Sequence, residues 1–251
     1  MSIKGYAHLG TDGKLPSSES PLPVGNRPAI DGNHTDVWYL DETSGTTFAN
    51  QVNGRPSLTA ASSNDWSPFN GLFKGIGGVL VKNTASQGLR ASGLALDFSG
   101  GGTVEIFTCM YQGDISTYPS VPFITGCESG YDITSVNNGF YIYGWSGAAL
   151  RFGAKKSNSY IENSLSPLRF VKHHFMLTFA TNGYNYCYID GVLVGTSGAS
   201  GSFSANIGTV EIGNFVNIIN PNNATVGDVR ISNIARDATY ALTNYFKYLS
   251  I

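Results

Sequence analysis

The stretch that determines the fold is residues 170–196, FVKHHFMLTFATNGYNYCYIDGVLVGT. It contains three runs of β-branched and aromatic residues, separated by Thr181-Asn182-Gly183 and by Asp190-Gly191. Asn-Gly and Asp-Gly between such runs are the strongest short-range signals of a β-hairpin. The stretch therefore predicts a three-stranded antiparallel meander.

Alternation within the first of these runs predicts which side faces the core. Successive side chains of a strand point to opposite faces, so His173 shares one face with three large apolar residues, Phe175, Leu177 and Phe179. We interpret His173 as a hydrogen-bonded core histidine. Its neighbour His174 lies on the other face, so the two histidines cannot chelate one metal ion.

Strand-like runs continue along the rest of the chain. They cover residues 36–40, 103–111, 139–143, 148–152, 208–212 and 225–231. The run at 103–111 has large apolar side chains at both alternating sets of positions, which predicts a strand covered on both faces. One helix is predicted, with Asp237 as the cap of a segment that ends at Leu249.

The composition favours an all-β protein. Gly, Ser, Thr and Asn make up 98 of the 251 residues, and charged residues only 13%. The four small residues are poor or mediocre helix formers and are frequent in turns. We therefore predict an all-β, antiparallel β-sandwich jelly roll over residues 35–251, with a short C-terminal helix.

Residues 1–34 differ from the rest and are predicted to form an extended N-terminal arm. They contain four prolines and no periodic apolar pattern. Such a segment buries too little apolar area to offset the entropy lost on ordering.

Charge and missing motifs argue against several functions. The chain has 15 basic and 17 acidic residues, a net charge of −2, and no basic block, so we expect no nucleic-acid or membrane partner. It has no run of about 18 apolar residues and no signal-peptide pattern. No Gly-rich loop joins a strand to a helix, and we expect no cofactor. Cys109, Cys127 and Cys187 lack metal-binding spacing and are expected to be reduced thiols.

Several separate pieces of the chain resemble the concanavalin A-like, laminin-G-like jelly rolls. Residues 172–179 and 188–195 are similar to that family's central meander, residues 38–45 to its opening strand, and residues 210–213 and 227–232 to its last strands. The pieces occur in the family's order. The resemblance implies the fold of a concanavalin A-like lectin or glucanase over about residues 35–249.

The two strand glutamates argue against the catalysis of the glucanases in that family. Those enzymes carry an E-x-D-x-E strand, because retaining hydrolysis needs two carboxylates about 5–5.5 Å apart. Glu105 and Glu211 each lack an acidic residue two positions away. We interpret both as solvent-facing or edge-protecting residues, and expect no enzyme activity.

No metal site is predicted either. Some laminin-G-like domains bind calcium through loop carboxylates and carbonyls. Asp65, Asp114 and Asp132 lie in loop-like stretches, but no Asp-x-Asp-x-Asp pattern brings carboxylates together.

Recognition of sugars by aromatic and amide side chains remains. Sugars present apolar ring faces for stacking and hydroxyls for hydrogen bonding. Trp145 is expected at the tip of a hairpin loop, residues 144–147, and Trp66 either contacts ligand or plugs the edge of the sandwich, while Trp38 is expected in the core. The candidate ligand-binding residues are Trp145, Tyr143, Tyr131, Asp132, Tyr160 and Trp66.

The arm carries a second resemblance. Residues 7–18, AHLGTDGKLPSS, resemble segments of tail-fibre and other appendage proteins of tailed bacteriophages. The resemblance implies that the arm attaches the chain to other virion proteins. The candidate attachment residues are Leu9, Asp12, Lys14, Leu15 and Pro16.

Together the two resemblances imply a non-enzymatic bacteriophage virion structural protein. It would belong to a tail fibre, a baseplate or tail tip, or a capsid surface, be assembled in the host cytoplasm, and contact host-surface glycans or neighbouring subunits. Phage appendages are commonly trimeric and an uncharged surface lowers the cost of desolvation on packing, so we expect a homo-oligomer, with a homotrimer first. The alternative is a stand-alone bacterial carbohydrate-binding module or lectin.

Overall fold

The computed structural model describes residues 27–73, 76–81, 88–110, 120–131, 136–145, 149–156, 159–165, 172–197, 206–213 and 224–249. Within these residues it has sixteen strands and one helix. The strands are β1 (His34–Trp38), β2 (Thr47–Phe48), β3 (Leu58–Thr59), β4 (Trp66–Phe73), β5 (Ile76–Val81), β6 (Leu89–Asp97), β7 (Gly102–Met110), β8 (Ser120–Cys127), β9 (Gly139–Trp145), β10 (Ala149–Lys156), β11 (Ser159–Leu165), β12 (Lys172–Phe179), β13 (Asn185–Ile189), β14 (Val192–Ser197), β15 (Asn206–Ile212) and β16 (Ala224–Ser232). The helix is α1 (Ala238–Leu249).

The strands form two antiparallel eight-stranded sheets, as predicted for a β-sandwich jelly roll. The front sheet has the order β14-β13-β12-β7-β16-β5-β4, and β1 also pairs with β16. The back sheet has the order β11-β10-β9-β8-β15-β6-β3-β2. Some strands that are adjacent in the sheets, such as β7 and β16, are distant in sequence. The chain must therefore form many long-range strand pairings before the sandwich is complete.

The apolar faces of the two sheets meet in one core. Phe175 of β12 packs against Phe123 and Phe152 of the back sheet, with ring centroids 5.6 and 5.8 Å apart. Leu177 and Phe179 lie in the same core, which confirms the face predicted for this run. Burial of each such side chain stabilises the fold by about 1.5–3 kcal/mol.

The predicted meander is present as β12, β13 and β14. The turn between β13 and β14 has positive φ at both central residues, 54° at Asp190 and 80° at Gly191, as a two-residue type I′ hairpin requires. A Cβ atom on Gly191 would lie only 2.6 Å from the Cα atom of Leu242. Glycine is therefore needed both for the turn and for the close approach of helix α1.

Helix α1 lies on the outer face of the front sheet. The carboxylate of Asp237 accepts a hydrogen bond from the Tyr240 amide at 2.8 Å, so the predicted cap is confirmed. The helix covers Glu105 and Phe107 of β7, which are fully buried, and this accounts for the predicted two-sided burial of that strand. In the described part of the chain, no helix is long and apolar enough to cross a bilayer.

The predicted boundary between arm and sandwich, after residue 34, does not match the contacts. Arg27 forms ion pairs with Asp41 at 2.8 Å and with Asp228 at 2.9 Å. His34 and Asp31 also bond to residues beside and within α1. Residues 27–34, here called the strap, therefore pack on the sandwich, and the candidate attachment residues 9–16 lie outside the described residues.

Candidate functional site

Trp66 is a core residue and not an exposed ligand contact. It is 3% exposed, and its ring lies edge-on to that of Phe48 with centroids 4.9 Å apart. Its indole Nε1 donates to the carbonyl of Gly45 at 3.0 Å. Of the two expectations for Trp66, its burial in the core favours a packing role over contact with a ligand. Trp38 is fully buried, as expected.

Tyr143, a candidate ligand-binding residue, is also buried and does not present its ring at the surface. It is 5% exposed and packs against Tyr141, Cys127 and Val136 on the outer side of the back sheet. The rings of Tyr141 and Tyr143 have centroids 5.1 Å apart. A ring enclosed in this way offers no face to a sugar.

Trp145 and Tyr160 lie in strands and not in loops. Trp145 is the last residue of β9, opposite Ala149 and Ser120, and Tyr160 lies in β11 opposite Lys155. Gly144 and Trp145, which were expected in a loop, are therefore the last two residues of β9. Their contact with ligand stays a prediction, and Asp132 lies outside the described residues.

Tyr131 is half-buried beneath a cation. The guanidinium of Arg90 lies 4.3 Å from the centroid of the Tyr131 ring, and Arg90 Nε donates to Glu211 at 2.9 Å. Glu211 also accepts from the amide of Gly88 at 2.7 Å and is 1% exposed. The expectation that Glu211 faces solvent is therefore wrong, since its charge is neutralised inside the protein.

Glu105 is likewise buried, against expectation. Its Oε2 atom lies 3.1 Å from Nε2 of His174 and accepts from the amide of Asn244 at 3.0 Å. Burial alone would raise the pKa of Glu105, but the His174 bond and the charges of His174 and Arg230 lower it to about 2. The carboxylate is a fixed anion beneath helix α1.

The positions of the two glutamates support a non-catalytic role for both. Glu105 lies on β7 of the front sheet and Glu211 on β15 of the back sheet. Each lies on the side away from the core, because Val104, Ile106, Val210 and Ile212 fill the core side. Packed sheets are about 10 Å apart, so these carboxylates cannot flank one glycosidic bond.

The two neighbouring histidines are separated as predicted. His173 is buried, with Nδ1 2.7 Å from the carboxylate of Asp190, while His174 lies on the opposite side of β12 against Glu105. Asp65 accepts from the Ser62 amide within its own turn. Among the residues that the structure describes, no group of three or more His, Cys, Asp or Glu side chains is placed to hold a metal ion.

An exposed aromatic group on the hairpin of β12 and β13 was missed by the sequence analysis. Tyr184 is 38% exposed, Tyr186 is half-buried, and Tyr188 is covered by Met176 and Ala241. The core-facing residue between them is Cys187. We call Asn182, Tyr184, Tyr186 and Tyr188 the tyrosine surface.

Asn182 holds the two outer rings in position. Its amide nitrogen donates to the hydroxyl of Tyr186 at 3.1 Å, and its amide oxygen accepts from the backbone of Tyr184 at 3.0 Å. The two rings have centroids 6.4 Å apart and planes inclined by 36°. Because the Tyr186 hydroxyl accepts from Asn182, its own proton is left to donate to a ligand.

Polar and apolar side chains border these rings. On β14, Thr196 lies opposite Tyr186 and the exposed Leu193 opposite Tyr188. On β12, Thr178 lies opposite Tyr186 and donates to the carbonyl of Arg236 at 3.0 Å. The start of helix α1 is thereby fixed beside the tyrosine surface.

One sequence signal points to this surface. In YNYCY, residues 184–188, tyrosine recurs at every second position, with Asn185 and Cys187 between the tyrosines. This period places the tyrosines on the outer face of a strand whose other face is core. The strand was predicted, but its aromatic outer row was not interpreted.

Comparison with known proteins identifies the architecture. No protein-family model matches the chain, and no curated protein matches it. Among solved structures, the chain is similar to the binding domain of Paraclostridial Mosquitocidal Protein 1, with 10% identity and a TM-score of 0.65 over 86% of this chain and 52% of that one.

Two botulinum neurotoxin structures show the same likeness. The type G receptor binding domain has 10% identity and a TM-score of 0.65, over 86% of this chain and 51% of that one. The serotype D binding domain has 9% identity and a TM-score of 0.62, over 85% and 51%. The chain thus spans about half the length of these domains, and the likeness establishes the β-sandwich jelly-roll fold.

Proposed function

We propose that this chain is a non-enzymatic, lectin-like binding protein of a tailed-bacteriophage particle that contacts host-surface glycans through the tyrosine surface. The observation that carries the glycan contact is the exposed pair Tyr184 and Tyr186, oriented by Asn182. Two rings with an amide and hydroxyls at their edge combine stacking with hydrogen bonding, which is what a sugar requires.

Recognition is also supported by the comparisons. The three solved structures compared above are named as binding domains, and two of these three are domains of botulinum neurotoxins. The type G domain is named as receptor-binding. A jelly roll can also serve as an enzyme or a spacer, so the binding role rests on the tyrosine surface and on the separation of Glu105 from Glu211.

The virion role rests on the resemblance of residues 7–18 to phage appendage segments. We propose that these residues join the chain to other virion proteins. We also propose that the chain has a concanavalin A-like jelly roll and that three copies of it form a homotrimer. Detection of the chain in purified phage particles would support this. Its secretion as a free protein by a bacterium would favour the alternative, a stand-alone lectin.

Several copies acting together are needed for useful affinity. Stacking on one aromatic ring adds on the order of 1 kcal/mol beyond area burial, so one site binds in the millimolar range, about −4 kcal/mol. Linked sites raise avidity by roughly 10²–10⁴. The effect of a substitution in the tyrosine surface on the avidity is therefore multiplied, because every copy carries the same substitution.

The experiment compares single alanine variants of the full chain on an array of bacterial polysaccharides. We expect Tyr184→Ala and Tyr186→Ala each to lower binding about tenfold or more, with the unfolding midpoint nearly constant, because the rings are partly exposed. Phe246→Ala is the matched control, since Phe246 is 55% exposed on helix α1. Its binding should equal that of the parent chain.

A fourth variant, Trp145→Ala, tests the site predicted from sequence. Loss of binding in Trp145→Ala alone would move the glycan contact to the back sheet. Equal binding by all four variants and the parent would contradict a glycan contact at the tyrosine surface.

A further inference from the structure

The charge beside the tyrosine surface comes from the first residues of helix α1. Thr178 lies opposite Tyr186 and donates a hydrogen bond to the carbonyl of Arg236. Asp237 follows Arg236 directly in the chain. Asp237 is exposed, and its described bond is to the uncharged amide of Tyr240. Its charge acts on the tyrosine row, because it contributes to the raised pKa of Tyr188 after the larger effect of burial.

The neighbouring cation is neutralised by another group. Arg236 donates to Asp31 of the strap at 2.7 Å, and its guanidinium lies 4.3 Å from the centroid of the Tyr240 ring. Both contacts hold the guanidinium on the strap side of the helix start. Asp237 is therefore the excess charge at the helix start.

Other charged groups on the described elements that form this face, residues 172–197 and 236–242, lie further away. Lys172 begins β12, six positions before Thr178, which is about 20 Å along a strand. Asp190, at the far end of β13, is bonded to His173. Lys172 therefore places no positive charge beside Tyr184 and Tyr186, and the charge of Asp190 is directed to His173.

The positive end of the helix does not attract an anion here. A helix N-terminus favours negative ligands because its first amides lack partners. Asp237 occupies that position, with Oδ1 2.8 Å from the amide of Tyr240. An acidic sugar at the tyrosine surface would meet a carboxylate in place of free amides.

We infer that the tyrosine surface selects neutral glycans and excludes acidic ones, with Asp237 as the specificity-determining residue. This inference rests on the proposed glycan contact at the same surface. Neutral sugars need only ring faces and hydroxyl partners, which Tyr184, Tyr186 and Asn182 supply. Uronic and sialic acid residues add a carboxylate that Asp237 repels.

The test uses the full chain on an array of neutral and acidic bacterial polysaccharides at low salt, where charge effects are least screened. The measured quantity is the ratio of acidic to neutral binding. In the parent chain, neutral spots should dominate. Asp237→Asn keeps a helix cap of equal quality but removes the charge, and should raise the ratio about threefold to tenfold.

Asp97→Asn is the matched control. Asp97 is an exposed carboxylate at the end of β6 in the other sheet, and it also accepts a backbone amide, that of Ser99, at 2.8 Å. This variant changes the net charge equally and should leave the ratio constant. An equal rise in both variants would show an effect of net charge and would overturn the role of Asp237.

The remaining outcomes separate the inference from the proposed function. A parent chain that binds acidic spots as well as neutral ones, through Tyr186, overturns the selectivity but keeps the glycan contact. An unchanged ratio in Asp237→Asn overturns Asp237 as the determinant. Binding to no spot contradicts the glycan contact and the inference together.

Discussion

Single buried polar residues are the least expected feature of this protein. Glu105 lies between His174 and Asn244, and all three are almost fully buried. Buried ion pairs have large desolvation costs, so such a group is tolerated only when its partners are in place. Removal of one partner leaves a buried charge uncompensated.

Replacement of Glu105 by alanine should therefore destabilise the fold by about 3–5 kcal/mol, measured by urea unfolding at neutral pH. Glu105→Gln, which keeps the shape, should cost less. Glu128→Ala is the control, because Glu128 is partly exposed and bonds to Asn138 in a surface loop. Equal effects of Glu105→Ala and Glu128→Ala would contradict a special role for the buried carboxylate.

The pH dependence has a definite sign. The folded-state pKa of Glu105 is about 2, below the ordinary 4.5, so its contribution is complete above pH 4.5 and is lost as the pH falls towards 2. This linkage amounts to about 3 kcal/mol. The acid-induced loss of stability should be smaller in Glu105→Gln than in the parent chain.

Residue roles were harder to predict from sequence than strand positions. Alternation correctly assigned His173 and Phe175 to the core, because a strand has only two faces. It could not show that helix α1 covers the outer face at Glu105, since that contact joins residues more than a hundred positions apart. Tyr143, a candidate ligand-binding residue, is buried by the nearby Tyr141, Cys127 and Val136, and alternation does not show whether a face of a strand is covered.

At the scale of elements, the docking of helix α1 depends on the turn between β13 and β14. Gly191 contacts Leu242, and Tyr240, Asn244 and Tyr248 recur every four residues along the face that bonds to the strap and the sheet. The helix is therefore held by a glycine contact on one side and by polar bonds beneath it. The sequence predicted the helix, its cap at Asp237 and its end at Leu249, but not the face by which it docks.

Gly191→Ala tests this contact against a glycine of similar conformation. Gly191 has φ of 80° and Gly54 of 74°, but a Cβ atom at position 54 meets nothing within 4 Å. Both substitutions incur the left-handed backbone cost of about 1 kcal/mol. Gly191→Ala should lose about 1–3 kcal/mol more by displacing the helix, measured by thermal unfolding. Equal losses would show that the helix does not depend on this approach.

The strands that the sequence did not predict lie mainly away from the central meander. The strand β4 contains Pro68 and Gly71 and lies at the edge of the front sheet, where a missing amide donor is tolerated. The two-residue strands β2 and β3 are too short for alternation to detect. Composition and hairpin signals were nevertheless sufficient for the fold class, because they recur along the whole chain.

At the scale of the whole molecule, the strap joins the two ends of the described chain. Arg27 pairs with Asp228 of β16, which also accepts from the hydroxyl of Tyr248 in α1. At its other end, Nε2 of His34 lies 3.1 Å from the hydroxyl of Tyr240. The strap and helix α1 are therefore joined at both ends of the strap, by Asp228 beside Tyr248 and by the contact of His34 with Tyr240.

Two truncations separate the arm from the strap. Removal of residues 1–26 should leave the unfolding midpoint nearly constant but abolish incorporation into phage particles, if residues 9–16 are the attachment segment. Removal of residues 1–34 also deletes Arg27, Asp31 and His34, which leaves the buried carboxylate of Asp228 without its Arg27 partner. Asp228 keeps Arg230 at 3.4 Å and the Tyr248 hydroxyl, so the expected cost is that of a lost hydrogen bond to a charged group, about 1.5–3 kcal/mol, and this shorter chain should unfold at clearly lower urea concentration. Equal midpoints for the two truncations would show that the strap contacts add nothing. Unfolding on removal of residues 1–26 would place the arm within the folded core, since only a segment that packs on the sandwich can stabilise it.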